Sequence, residues 1–196
     1  MDAIKPERAA PPPPSGFTAM TSRILAIDLA FFRLLAGLPL PRAVTLPLVV
    51  LVRIGDGWIW GLIALTLWFT LPTPDLIRVV LHCAVAIAVS LAFYLPIKFL
   101  TKRPRPYDSG LDVVPLVPPL DKYSFPSGHT MNNLAVALTL ALYFPRLALP
   151  ALLIPPVLGI LRVLFGVHYL SDIIGGSLLG VLAFWLARAI FPLTGF

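Results

Sequence analysis

The sequence predicts an all-α integral membrane bundle of five to six transmembrane helices with an N-terminal interfacial helix, and three observations carry that expectation. Of 196 residues, 58% are hydrophobic and only 12% are charged, and the mean hydropathy is +0.90. Soluble domains hold about 45–50% apolar and about 25% charged residues. The apolar residues also fall in long blocks, as bilayer-spanning helices require. Finally, the titratable residues gather in short stretches between those blocks. A soluble fold is excluded, and by length the chain is one domain.

The elements follow in order. Residues 1–20 are expected to be a disordered tail, because Pro11 to Pro14 and mixed charge leave nothing to bury. The membrane domain then fills 21–196. A cleavable signal peptide is not expected, since no apolar core follows a basic start near the N-terminus. From Thr21 to Leu38 an apolar stretch is interrupted by Asp28 and Arg33. These charges can share one helix flank while Ile24, Leu25, Leu29, Phe32 and Leu35 line another, which suits an interfacial helix.

Ala43 to Leu71 would be about 43 Å as one helix, longer than the roughly 30 Å hydrocarbon core. Gly55 and Gly57 flank Asp56, so the break is expected there, with a short helix before it and a span over Gly57 to Leu71. Whether the segment between Ile24 and Val52 crosses the bilayer decides between five spans and six. The other spans run from Leu76 to Ile97, Gly128 to Phe144, Leu147 to Gly166, and Asp172 to Phe191. Trp58, Trp60, Trp68 and Trp185 lie near span ends and read as interfacial aromatics. Pro155 and Pro156 predict a kink, and Gly176 with Gly180 predicts close helix packing. Cys83, the single cysteine, reads as a small apolar core residue and rules out a disulfide framework.

Three polar stretches interrupt the apolar pattern. Lys98, Lys102, Arg103 and Arg105-Pro106 follow the second span, and Ser124 to His129 open the third. Arg162, His168 and Asp172 lie between the fourth and fifth. The third and fourth spans cross out and back, so all three stretches must meet at one membrane face. Lys98, Arg105 and Arg162 can neutralise a dianion, the arginines with planar forks that match phosphate oxygens. Pro126-Ser127-Gly128 at a helix start offers backbone N–H groups and a hydroxyl to an anion. His129 and His168 titrate near neutrality, as a nucleophile and a general acid must. Asp172, one turn after His168, can fix its tautomer.

Taken singly, these residues have blander explanations. Lys102 and Arg103 read as headgroup anchors, and Asn132 and Asn133 as helix-to-helix hydrogen bonds. The joint arrangement of cations, histidines and a carboxylate at membrane depth is what points to function. The net charge of +6 is spread thinly between apolar blocks, which suits anionic lipid headgroups and not nucleic acid.

These elements resemble the type 2 phosphatidic acid phosphatases, also called lipid phosphate phosphatases. The Lys-x6-Arg-Pro element appears as Lys98 to Arg105-Pro106, and Pro-Ser-Gly-His appears intact as Pro126 to His129. Ser-Arg-x5-His-x3-Asp appears as Arg162, His168 and Asp172, with Leu161 in place of its serine. The resemblance implies that His168 attacks phosphorus with help from Asp172, while His129 protonates the leaving oxygen and later helps activate water. It implies that Lys98, Arg105, Arg162, Ser127 and the Gly128 amide hold the phosphoryl group, and that no metal or other cofactor is needed.

The expected substrate is a lipid phosphomonoester or diphosphate: undecaprenyl diphosphate, phosphatidylglycerol phosphate or phosphatidic acid. A phosphotransferase of the same architecture, passing phosphate to a lipid or sugar, shares the motifs and stays open. A non-enzymatic lipid-binding protein gives no reason for them. The loop from Tyr107 to Tyr123 is where specificity is expected, without a rule to read it. The chain is expected to be a monomer in a bacterial inner membrane. With five spans, twelve of the fifteen cations fall on the site's side, which read alone makes that side cytoplasmic. A crossing by the segment between Ile24 and Val52 would move the tail cations away. The resemblance favours the outward orientation, so the pocket is expected to face the periplasm or exterior.

Overall fold

A computed structural model of the chain describes residues 16–191 apart from 37, 39, 112 and 120, with side chains from Thr21 on. The expected tail therefore lies outside the described residues up to position 15, and from Gly16 the backbone is helical. The described residues form seven α-helices and no strand: α1 (Gly16–Ala36), α2 (Arg42–Arg53), α3 (Ile59–Thr70), α4 (Thr73–Thr101), α5 (Gly128–Tyr143), α6 (Ala148–Leu164) and α7 (Leu170–Ile190). Four segments are long and apolar enough to cross a membrane: Arg42–Thr70 as one kinked rod, α4 with its extension, α6 with the turn before it, and α7. The chain is a multi-pass membrane protein.

The 16-residue α5 is the helix expected as the third span. It sits at the centre, packed against α4, α6 and α7. Its neighbours form the wall around it, so its modest length, about 24 Å, need not match the bilayer by itself. Gly176 and Gly180 explain how closely α7 approaches. A Cβ on Gly176 would stand 2.6 Å from the Ser127 carbonyl oxygen, and one on Gly180 2.7 Å from that of Met131. Close packing at this pair is what the sequence predicts.

The break within Ala43 to Leu71 also falls where expected. Ile54–Trp58 form a π-type turn with Gly57 at φ 122°, a conformation costly for any residue with a Cβ. That turn aims Asp56 inward. α6, in contrast, runs on through both prolines.

Two readings change. On α1, Asp28 and Phe32 share the buried face, while Ile24, Leu25 and Ile27 are exposed. The reason is that Asp28 has fixed partners: Arg103 and Ser171 bond its carboxylate. Phe32, Phe31, Leu35 and Ala36 pack with Val163, Ile173, Leu111 and Val113. α1 thus lies against the polar end of the bundle. Trp60 is the second change. Trp58, Trp68 and Trp185 are exposed on the bundle's outside, but the Trp60 indole turns inward and donates to Asn133 Oδ1 at 2.5 Å.

Candidate active site

The site is assembled from four backbone junctions: the end of α4, the start of α5, the α6–α7 turn and the Gly55–Gly57 kink. Ser127 caps α5, its Oγ accepting from Thr130 N at 3.4 Å and Thr130 Oγ1 at 3.1 Å. Its own N–H donates to the Asp172 carbonyl at 3.1 Å, which ties the α5 start to α7. Gly128 follows, and a Cβ there would lie 2.6 Å from the Tyr94 ring.

Asp172 is fully buried and its oxygens are fully used. Oδ2 accepts from Tyr169 N at 2.8 Å, capping α7, and faces His168 Nδ1 at 3.3 Å. Oδ1 takes Arg103 Nη1 at 2.8 Å. His168 Nε2 faces Arg105 Nη1 at 3.4 Å. A guanidinium can only donate, so Nε2 is the accepting nitrogen and Nδ1 carries the proton toward Asp172. Burial pushes the His168 pKa down to about 4, against the opposing pull of Asp172, and the Arg105 and Lys98 charges push the same way. Buried His168 thus turns its Nε2 lone pair toward the Arg105 guanidinium.

Lys98 and Arg105 are both buried, and both grip Asp121. The Asp121 Oδ1 lies 2.7 Å from Lys98 Nζ and 2.5 Å from Arg105 Nη2, and Tyr94 donates to Oδ2. Burial alone would raise this carboxyl's pKa. The bonds from Lys98 and Tyr94 and the two cationic charges overcome that and hold it below the usual range. Asp121 thus occupies the kind of contacts a phosphoryl oxygen would make.

His129 belongs to a second cluster. Its Nε2 lies 2.8 Å from Asp56 Oδ1, and buried Arg162 bonds the same carboxylate. Arg53 reaches Asp56 from outside at 3.4 Å. Asn133 locks the kink to α5, donating to Gly55 O at 3.2 Å and His129 O at 2.7 Å. A cavity of about 340 Å³ opens beside His129, lined among others by Asp56, Trp60, Tyr94, Asp121 and Asn132.

Each residue singled out from sequence thus lies at one end of the bundle: Lys98, Arg105 and His168–Asp172 around one centre, His129 and Arg162 around Asp56, and Ser127–Gly128 between α4 and α7. Asp56, Asp121, Tyr94, Arg103 and Asp28 were missed as site residues. Only Asp56, an acid between two glycines inside an apolar run, carried a visible signal. Arg103 is corrected outright: it is no headgroup anchor, because both its arms hold buried carboxylates. Among the described residues Asn132 Oδ1, a buried atom, has no hydrogen-bond partner and so makes no helix-to-helix bond. Leu161, which stands for the family's serine, is buried with Val52, Val117 and Phe165.

Buried cations and a carboxylate-held histidine thus gather at one end of a bundle whose long apolar helices are able to cross a membrane. The chain belongs to the PAP2 superfamily, whose model matches residues 79–195. Phosphatidylglycerophosphatase B of Bacillus subtilis (strain 168) is 39% identical over 89 residues, 39% of this chain and 43% of that protein. Decaprenylphosphoryl-5-phosphoribose phosphatase of Mycobacterium tuberculosis is 38% identical over 92 residues, 47% of this chain and 50% of that one. The chain thus matches about half the length of these curated relatives. Among solved structures, Aquifex aeolicus LpxE superposes with a TM-score of 0.67 at 23% identity, covering 83% of this chain and 94% of that one. A transmembrane PAP2-type phosphatidylglycerolphosphate phosphatase from Bacillus subtilis gives 0.62 at 27% identity, covering 88% and 86%.

Proposed function

We propose that the protein is a lipid phosphate phosphatase of a bacterial inner membrane, working through a phosphohistidine at His168 with its pocket facing outward. The observation that carries this reading is the clamp on His168: Asp172 at Nδ1 and Arg105 at Nε2 leave the imidazole neutral and oriented. The names of the relatives, both phosphatases of phosphorylated lipids, support the same chemistry.

The substrate's phosphate displaces the Asp121 carboxylate from Lys98 and Arg105, and Arg162 completes the charge neutralisation. The His168 Nε2 lone pair forms the N–P bond as the P–O bond to the lipid breaks. The departing oxygen takes a proton from His129, whose ring Asp56 holds. Water then attacks phosphorus, giving its proton to His129, and phosphate leaves as His168 returns to its neutral form. Positioning and charge neutralisation supply the catalysis.

The apolar part of the substrate has a route. Trp60, Ile87 and Val136 line both the cavity at His129 and an apolar cavity of about 210 Å³ between α3, α4 and α5. A lipid tail in that groove would bring its phosphate to the bundle's polar end. The test is phosphate release by purified protein from a panel of lipid phosphomonoesters and diphosphates, with rapid acid-free quenching to trap a base-stable phosphohistidine. Turnover without any label on His168 would refute the covalent route.

A further inference from the structure

His129 and His168 are each held by a carboxylate, but at opposite ring nitrogens. Asp172 faces His168 at Nδ1, 3.3 Å away, which leaves Nε2 toward Arg105. Asp56 faces His129 at Nε2, 2.8 Å away. An ionised carboxylate can only accept, so Nε2 of His129 carries a proton and Nδ1 is the nitrogen left over. No bond among the described residues uses that Nδ1. The His129 side chain is 17% exposed and borders the cavity of about 340 Å³.

The fold fixes Asp56 in that position from two sides. A Cβ on Gly55 would stand 2.5 Å from the Leu158 side chain, so the kink presses against α6 only because glycine is there. Asn133 on α5 donates to both Gly55 O and His129 O, which ties the turn carrying the acid to the turn carrying the histidine. The same Asp56 Oδ1 also takes the Arg162 guanidinium from α6. One carboxylate thus holds the proposed proton donor and a proposed phosphate-binding arginine together. It lies upstream of residues 79–195, where the family model matches, so the kinked rod before that region adds a residue to the site.

We propose that Asp56 is a positioning residue for the reaction, holding His129 so that Nδ1 is its proton-donating nitrogen. The proposal rests on the phosphatase reading and deepens it. As the P–O bond to the lipid breaks, Nδ1–H of the His129 imidazolium gives its proton to the departing oxygen, which leaves as a hydroxyl group. The ring becomes a neutral imidazole whose remaining proton stays on Nε2, bonded to Asp56. When water attacks the phosphohistidine, its proton goes to Nδ1 and the imidazolium forms again. Asp56 exchanges no proton in either step. Its work is to orient the ring and to set a negative charge beside the imidazolium that a proton donor must be.

The test compares kcat/KM of wild-type and Asp56→Asn protein on benzyl phosphate and 4-nitrophenyl phosphate, probes of similar size of which only the first needs a proton on its leaving oxygen. Because kcat/KM covers the steps up to departure of that oxygen, hydrolysis of the phosphohistidine does not enter. Asparagine keeps an accepting oxygen and the shape but loses the charge. It should lower the benzyl value at least about tenfold more than the nitrophenyl value. Any disturbance of Arg162 falls on both phosphates alike and cancels in the ratio. Equal losses, or none, overturn the proposal and leave a phosphatase. A second measurement needs no variant of Asp56: nitrogen-15 NMR of histidine-labelled protein at a pH where the rings are neutral, with the His129 signals identified by their loss in His129→Gln. His129 should be the Nε2–H tautomer and His168 the Nδ1–H tautomer. A His129 ring protonated at Nδ1 instead overturns the proposal, even where Asp56→Asn fails to fold or the small probes are not turned over. Phosphate release from neither probe nor from phosphatidylglycerol phosphate, by folded wild-type protein, sinks the phosphatase reading itself.

Discussion

Asp28 on α1 and Arg103 in the loop after α4 form an ion pair at 2.7 Å, although 75 residues separate them in sequence. Arg103 passes the contact on, its other nitrogen binding Asp172 at 2.8 Å, and Asp172 in turn faces His168. Asp28 also takes the Ser171 backbone N–H at 2.8 Å and its hydroxyl at 2.6 Å. The first helix is therefore joined to His168 by two routes, one through Arg103 and one through the first turn of α7.

Asp28→Asn should loosen that linkage without removing any group that touches substrate. The expected result is a fall in kcat of about tenfold with KM little changed, and a loss of about 2 kcal/mol in stability, since buried charged hydrogen bonds are weakened. Arg103→Lys should behave similarly, because an ammonium cannot fork between two carboxylates. Steady-state kinetics with thermal unfolding would check it. An unchanged kcat in a destabilised protein would leave Asp28 a purely structural tie.

Substitution within the site should rank its members. His168→Ala removes the proposed nucleophile and should abolish turnover. Asp172→Asn keeps the shape but spoils the imidazole's tautomer and orientation, and should cost roughly a thousandfold. His129→Ala should retain a trace on substrates whose leaving group needs no proton, such as nitrophenyl phosphates. Wild-type rates from His168→Ala would end the covalent mechanism.

Much of this site was legible because its members recur at fixed short spacings beside apolar blocks. His168 and Asp172 are one helical turn apart, and Ser127 caps the helix that carries His129. The bilayer count then forces Lys98, His129 and His168 to one face. Asp28 was misread because a charge five residues from another on an apolar helix looks like a wet flank. Its burial depends on Arg103 and Ser171, which no local pattern connects to it. Asp121 was invisible for a similar reason. It lies in a loop without periodicity, and its significance comes only from standing between Lys98 and Arg105. Trp60 differs from Trp58 and Trp68 only in which side of α3 the kink at Gly57 turns toward α5.

Asp121 should act as an internal competitor for the phosphate contacts. Removing its charge by Asp121→Asn should lower the inhibition constant of vanadate, which mimics five-coordinate phosphorus, by about fivefold, the worth of roughly 1 kcal/mol of relieved repulsion. A raised constant would mean that Asp121 holds Lys98 and Arg105 in place. EDTA should leave the activity of either protein unchanged.

The buried neutral His168 has a consequence for acid stability. Its pKa is pushed down to about 4 in the folded protein, against an ordinary value of 6.5. Between those values the unfolded chain binds a proton that the folded chain does not, so folding weakens as pH falls from 6.5 toward 4. Below about 4 both forms are protonated and this contribution levels off. His168→Gln lacks the penalty. Its Tm relative to wild type in the same detergent should therefore rise as pH drops through that window, and a constant difference would show that His168 is not held neutral.

The direction the pocket faces can be decided by chemical labelling. α1 lies against the site end, and α2 packs there too through Val52, beside Val117 and Phe165. The cations near that end outnumber Arg78, Arg146 and Arg188 at the other, which alone would draw the site to the cytoplasm. Yet Arg53, Lys98, Arg103, Arg105 and Arg162 are each paired with a carboxylate of the protein. Paired charges present little net charge to the membrane potential or to anionic lipid, so the asymmetry that orients the chain is smaller than the count. The outward pocket then remains consistent with the charges. Asp108 is exposed at the site end, on a short turn whose side chain no described bond uses, whereas the adjacent Ser109 hydroxyl bonds Arg105 O and Tyr169. Asp108→Cys in a Cys83→Ser background should react with a membrane-impermeant maleimide on intact spheroplasts. Reaction only after lysis would place the pocket in the cytoplasm and reverse the proposed orientation.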